Sequence, residues 1–239
     1  MTKTIAPLRN VTLFSELAER VLACPAHLHP LGTFHGFSGY GKTFAATYAA
    51  HHHKAIYVEV GSTWTKRKLC QALCGELGRP ATGTITDMMD EIIMALAVDQ
   101  RLLILDEFDY VVQRAGMLDM VREILDKSLA PVIIIGEEML PAKLKKHERF
   151  HNRVLCWTPA QPATAPDVAH LARLYAPEIT VQGDLLDRIA EAAAGRARRA
   201  CVSIERVREF AATKGLDAVG LADWGDQPIY LGAPATRRS

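Results

Sequence analysis

Gly36-Phe37-Ser38-Gly39-Tyr40-Gly41-Lys42-Thr43 fits the spacing G-x-x-x-x-G-K-[ST]. Its glycines let the backbone turn with N–H groups facing inward, and the helix that should follow adds partial positive charge at its N-terminus. Such a loop cradles a polyphosphate. The expected contacts run through Gly36, Ser38, Gly39, Gly41, Lys42, Thr43 and Phe44, with Lys42 reaching the β- and γ-phosphates and the Thr43 hydroxyl on Mg²⁺. The second group is Leu102-Leu103-Ile104-Leu105-Asp106-Glu107, an apolar strand that delivers two carboxylates at its C-terminal end, where open parallel sheets bind ligands. Asp106 is expected to hold Mg²⁺ through water, and Glu107 to orient the water that attacks the γ-phosphate. Together the two groups point to ATP hydrolysis. A small-molecule kinase, the alternative from another class, need not have the second acid. Two carboxylates beside a triphosphate repel it unless Mg²⁺ and Lys42 compensate, so nucleotide binding should require Mg²⁺.

The elements that position these groups follow from periodicity. Asn10 to Leu22 has apolar residues at helical spacing and should pack one face on the nucleotide domain. Leu31, Thr33 and Phe34 read as the strand before the loop, and Thr43 to Ala50 as the helix after it. Ala55 to Val60 is a second strand, ended by Gly61; Lys66 to Leu77 is a helix closed by Gly78 and Pro80. Thr86 or Asp87 is expected to cap the next helix. Met117 to Leu129 is helical, Pro131 to Gly136 is a buried fourth strand, and Val154 to Trp157 a fifth. Strands alternating with helices predict an α/β fold, a parallel sheet with helices on both sides. After Pro159 the pattern changes to three helices, Ala165 to Tyr175, Gly183 to Ala194 and Ala200 to Lys214, with no strand between them. The predicted division is residues 1–158 as nucleotide domain, 159–222 as a small α-helical lid and 223–239 as a loose tail.

At 239 residues, 49% hydrophobic and 23% charged, the composition is that of an ordinary globular chain with room for two such units. The apolar runs are too short to span a membrane, and Met1 to Asn10 lacks a signal-peptide core, so a cytoplasmic protein without a membrane partner is expected. Five scattered cysteines form no disulfide framework; Cys70 and Cys74 read as buried thiols, and His51-His52-His53 as a solvated helix end. The net charge of +1 hides local clusters at Trp64-Thr65-Lys66-Arg67-Lys68, Lys143 to Arg153 and Arg196 to Arg208, any of which could steer a polyanion.

The phosphate loop, the apolar strand ending Asp106-Glu107 and the three-helix lid resemble an AAA+ ATPase. The helix with Arg9-Asn10-Val11 and the stretch Tyr57-Val58-Glu59-Val60 to Thr63-Trp64-Thr65 resemble, more narrowly, the AAA+ regulators of DNA transposition, the group of phage Mu transposition protein B and its TnsC-like relatives. The resemblance covers residues 8 to 215. It implies a P-loop AAA+ sheet with a C-terminal lid, ATP and Mg²⁺ as cofactors, and head-to-tail homo-oligomers, filaments or rings, on double-stranded DNA. It also implies a transposase as partner.

By the same resemblance an arginine should reach the neighbouring subunit's ATP; Arg153 is the best match and Arg149 the second. The lid sensor arginine matches Arg198, with Arg199 close behind, and DNA contact falls to Thr65, Lys66, Arg67 and Lys68. The fourth strand ends Gly136-Glu137-Glu138 where the family has Asn, Thr or Ser; either Glu137 positions water or hydrolysis is slow. With eight residues ahead of Arg9, the ATPase core itself should bind DNA. A helicase-loader or replication-initiator-like protein shares every nucleotide residue and is the nearest alternative.

Overall fold

The computed structural model describes residues 8–230. The chain divides into two compact units. One is built from Val11–Phe37 and Lys42–Ala160; the other takes in the residues from Gln161 on, together with Ser38–Gly41 and residues 8–10. The division thus falls two residues beyond the expected 158/159 boundary, and Asn10 explains the company it keeps. Its buried amide donates to Tyr40 O (2.7 Å) and Gln161 O (2.8 Å) and accepts from Gln161 N (2.8 Å), which satisfies most of what a buried amide can form.

In the first unit the order is α1 (Arg9–Leu22), β1 (Leu31–His35), α2 (Lys42–His53), β2 (Ile56–Glu59), α3 (Lys66–Glu76), α4 (Ile85–Asp99) and β3 (Leu103–Asp106). There follow α5 (Asp109–Val112), α6 (Met117–Ser128), β4 (Val132–Gly136), α7 (Leu140–Lys145), α8 (Glu148–His151) and β5 (Val154–Pro159). Among the described residues the strands form one parallel sheet in the order β2-β3-β4-β1-β5. β3 and β4 are buried along their whole length, which is why they are nearly continuous apolar runs.

One face of the sheet is sealed by α1. Gly32 of β1 leaves room for it, since a Cβ there would stand 2.7 Å from both Leu17 Cδ1 and Val21 Cγ2, and Phe14 meets Phe34 edge-on at 5.1 Å. The opposite face carries the main core, with Leu69, Leu73, Met88, Ile92, Leu96, Phe108, Ile124 and Phe150 fully or almost fully buried. α4 is capped by Thr84, ahead of both expected candidates, Thr86 and Asp87, in a reciprocal pair with Asp87. The Thr84 hydroxyl accepts from Asp87 N and the Asp87 carboxylate from Thr84 N, so Asp87 acts from inside the helix.

The second unit contains α9 (Ala165–Tyr175), β6 (Thr180–Val181), α10 (Gly183–Ala193), α11 (Ala197–Lys214), β7 (Ala218–Val219) and α12 (Leu221–Trp224). The expectation of helices alone is corrected here: β6 and β7 pair in parallel. A two-residue strand has no periodicity to read. The expected loose tail is also corrected for residues 223–230. Trp224 is buried against Phe210 (5.2 Å) and Arg206 (5.5 Å), and the Arg206 guanidinium donates to Pro228 O and to Ile229 O. Residues 231–239 of that expected tail lie outside the described residues.

Candidate nucleotide-binding site

β1 carries the chain to the phosphate loop and leaves no space at its start. A Cβ on Gly36 would sit 3.0 Å from Ala160 Cβ and 3.3 Å from Ala160 O, while Ala160 N donates to His35 O at 2.7 Å. Gly39 (φ 85°) and Gly41 (φ 84°) occupy the left-handed region, where a side chain would be strained. α2 then begins at Lys42. The Lys42 ammonium donates to Gly36 O (2.6 Å) and Phe37 O (3.1 Å), leaving its third N–H free of those two partners. Burial pulls the Lys42 pKa down, against the upward pull of Asp106, Glu107, Glu138 and Asp109. Ser38 and Thr43 are exposed; Phe44 is half-buried in the first turn of α2.

Asp106, at the end of β3, is buried and accepts three hydrogen bonds. Its Oδ2 accepts from Thr43 Oγ1 and from Tyr57 Oη, each at 2.9 Å, and its Oδ1 accepts from Glu107 N at 2.8 Å. Glu107 follows in the left-handed region (φ 55°), which Gln100, Leu129 and Ala194 adopt as helix C-caps but Glu107 adopts straight after a strand. Its carboxyl pKa is raised, first by burial and then by Asp106, with Lys42 opposing. Thr43 and Asp106 together present hard oxygen donors, the set Mg²⁺ prefers, so the residues present fit the metal that the motif calls for.

At the end of β4, where the resemblance implies a polar residue, the arrangement is different. A Cβ on Gly136 would collide with Asp109 Oδ2 and Leu140. Asp109, buried, accepts from Glu137 N (2.7 Å) and from Lys143 Nζ (2.6 Å), and Lys143 also reaches Glu137 Oε2 at 3.4 Å. The Glu137 carboxylate is mostly exposed and forms the longer of the two contacts that Lys143 makes, the shorter being to Asp109. His35, in register with Gly136 across β1 and β4, meets Trp157 edge-on at 6.3 Å and has a buried Nδ1 without a hydrogen-bond partner; burial, then Lys42, holds its pKa low.

Arg153, the first choice for the trans-acting arginine, is occupied. Its guanidinium grips both Asp126 oxygens, one through Nη2 at 2.7 Å, and donates to Arg149 O. Arg149 itself is exposed, on the wall of a cleft of about 530 Å³ shared with Arg114, Arg122 and His147. In the second unit Arg199 lies over the Tyr230 ring at 5.2 Å, whereas Arg198 is exposed and its backbone N donates to Gly39 O at 3.4 Å.

The expected DNA contacts are gathered at the start of α3. The Thr65 hydroxyl is its N-cap, accepting from Lys68 N at 3.3 Å, so it serves the helix first. Lys66, Arg67 and Lys68 fill the first turn, all exposed and with no acid among them; Lys68 lies over Trp64 at 5.7 Å. A helix N-terminus disfavours cations, so three in one turn are held there against the local electrostatics.

Residues 27–144 match the family model of an AAA domain. The fold defined by the sheet order, the loop and the acid-ended β3 is the AAA+ P-loop fold. Among solved structures the chain is similar to the Aeropyrum pernix Orc1 protein in complex with DNA, at 19% identity and a TM-score of 0.65. It is similar also to Cdc6p from Pyrobaculum aerophilum (18%, 0.66) and to the Thermotoga maritima RuvB Holliday junction branch migration motor (15%, 0.61). These alignments cover 91%, 90% and 92% of this chain but only 64%, 64% and 67% of those proteins. No curated protein sequence matches significantly. Among the described residues no helix is long and apolar enough to cross a membrane.

Proposed function

We propose that this chain binds Mg·ATP, hydrolyses it, and uses the nucleotide to govern head-to-tail assembly on DNA, as an initiator- or loader-like AAA+ protein. The observation that carries the reading is the Asp106 carboxylate accepting from Thr43 beside Lys42, with Glu107 next in chain. Lys42 neutralises the β- and γ-phosphates. Thr43 and Asp106 hold the metal, which when bound withdraws charge from the phosphate oxygens. Glu107 takes up the proton of the attacking water as its oxygen bonds to the γ-phosphorus and the bond to the ADP oxygen breaks. Its raised pKa makes it a better base than an ordinary glutamate while it is ionised.

Arg149 takes the trans-acting role in place of Arg153, because it is exposed and faces a cleft; such a residue contributes roughly 10³–10⁵ in rate in well-studied NTPases. Of the two candidates for the lid arginine, Arg198 and Arg199, Arg198 is the one not stacked on Tyr230. The DNA part rests on the cationic turn of α3 and on the likeness to a structure described as Orc1 in complex with DNA. The initiator-like reading draws on the likeness to the Orc1 and Cdc6p structures; the transposition regulator, with a transposase as partner, rests on the sequence resemblance alone. Glu107→Gln tests the core: nucleotide binding stays within about twofold and turnover falls at least about 100-fold. Equal turnover in both proteins would remove the hydrolytic role.

A further inference from the structure

Tyr57 does something that none of the motifs calls for. Its hydroxyl and that of Thr43 both donate to one oxygen, Asp106 Oδ2. An ionised carboxylate has about four lone-pair sites, and three are taken here, two on Oδ2 and one on Oδ1 by Glu107 N. A metal-bound water would have to donate to the remaining place or displace one of the donors already on Asp106. Thr43 cannot be the one displaced, since its own oxygen is the second metal ligand. Tyr57 is the expendable donor. Burial and Asp106 push its phenol far above its ordinary range, so it stays a neutral donor at every working pH.

What Tyr57 is attached to gives the competition a consequence. It lies in β2, in register with Ile104, and two residues on Glu59 pairs with Asp106; Val60 N donates to Asp106 O at 3.0 Å. β2 then runs into Gly61, whose missing Cβ makes room for the Trp64 ring, and Trp64 N closes a turn onto Gly61 O at 3.1 Å. The next residues are the cap Thr65 and the cations Lys66, Arg67 and Lys68. Arg114, in the loop after α5, donates to Ser62 O, and the Lys66 ammonium fills the space beside Gly116. One extended stretch therefore joins the metal-binding acid to the cationic turn, with its far end braced by the chain that leaves the same acid in the other direction.

We infer that the Tyr57 hydroxyl senses metal–nucleotide occupancy at Asp106 and transmits it through β2 to the polyanion-binding start of α3. The partner class is a phosphodiester polymer, and the inference rests on the proposed function. Releasing one hydrogen bond to a charged acceptor shifts the balance about tenfold, which sets the scale of coupling that Tyr57 can carry.

The test is Tyr57→Phe, which keeps the ring and removes only the hydroxyl. Two equilibria are measured on the full chain: a fluorescent ATP analogue titrated at graded Mg²⁺, and a short random-sequence duplex titrated with Mg·ATP and with Mg·ADP. In the variant, the Mg²⁺ needed for half-maximal nucleotide binding should fall, because its competitor is gone. The ratio of duplex affinities in ATP and ADP should collapse towards one, and by reciprocity the duplex should cease to tighten ATP. Lys66→Ala, by contrast, should weaken both duplex affinities and preserve their ratio. A wild-type ratio in Tyr57→Phe, or a rise in its Mg²⁺ requirement, overturns the inference. If the wild-type protein ignores the duplex in both nucleotide states, the DNA reading falls, and the Mg²⁺ arm still decides the role of Tyr57.

Discussion

At the scale of single residues, the acid pair sets a measurable dependence on pH. Glu107 has a raised pKa because burial and Asp106 disfavour its charge. Between its unfolded and folded pKa values the folded state holds more protons than the unfolded state, so stability falls as pH rises through that window. Glu107→Gln removes the term: thermal melting of the two proteins should converge at low pH, and the variant should be the more stable near neutrality. A variant that melts below wild type at neutral pH would show that the Glu107 charge is favourably held after all. Turnover moves oppositely, failing as acid protonates the base. Lys42, Thr43, Asp106 and Glu107 were legible because their spacing lies within single short stretches. Tyr57, Asp109 and Asn10 were not: each acts on a residue that only strand register or chain return brings near, such as Asp109 on Glu137 and Asn10 on Gln161. The Arg153–Asp126 ion pair is invisible for the same reason, since Asp126 sits on α6, distant in sequence.

Secondary-structure elements were read more securely than their edges. The buried strands and long amphipathic helices stand where apolar periodicity put them, because burial of a face is a property of the whole segment. Caps and short elements depend on one or two side chains; Thr84 and the β6–β7 pair were missed on that account. Close packing gives one test. Gly32→Ala puts a methyl group 2.7 Å from Leu17 and Val21, whose side chains must shift, and should destabilise the protein by about 1–2 kcal/mol. The denaturant midpoint should drop with an unchanged slope; no drop would mean that α1 is not seated on β1 this closely. The first turn of α3 gives a test of the opposite sign. Replacing Lys66, Arg67 and Lys68 together by Gln relieves like charge at a helix N-terminus, so the melting temperature should hold or rise. Duplex binding should fall sharply and lose its steep salt dependence. Intact duplex binding in that variant would move the DNA contact elsewhere.

For the whole molecule the question is whether each ATP is served by one copy or two. Glu107 follows Asp106 at the end of β3, whereas Arg149 lines a cleft with Arg114 and Arg122. If assembly is head to tail, every working junction needs Glu107 from one copy and Arg149 from the next. Glu107→Gln and Arg149→Ala should each be inactive alone for different reasons, the first without a base and the second without the trans-acting charge. Mixed in equal amounts with random neighbours, they rebuild a complete junction wherever an Arg149→Ala copy supplies the site and a Glu107→Gln copy supplies the arginine. Independent choice at each of the two positions gives ~1/4 of junctions, so about a quarter of wild-type turnover should return on mixing. A protein that works as separate copies regains nothing, because neither variant carries both groups. The recovered rate should also rise with total concentration at a fixed ratio, as junctions form by mass action. Recovery that appears with Arg153→Ala and not with Arg149→Ala would restore the role to the arginine now seen gripping Asp126.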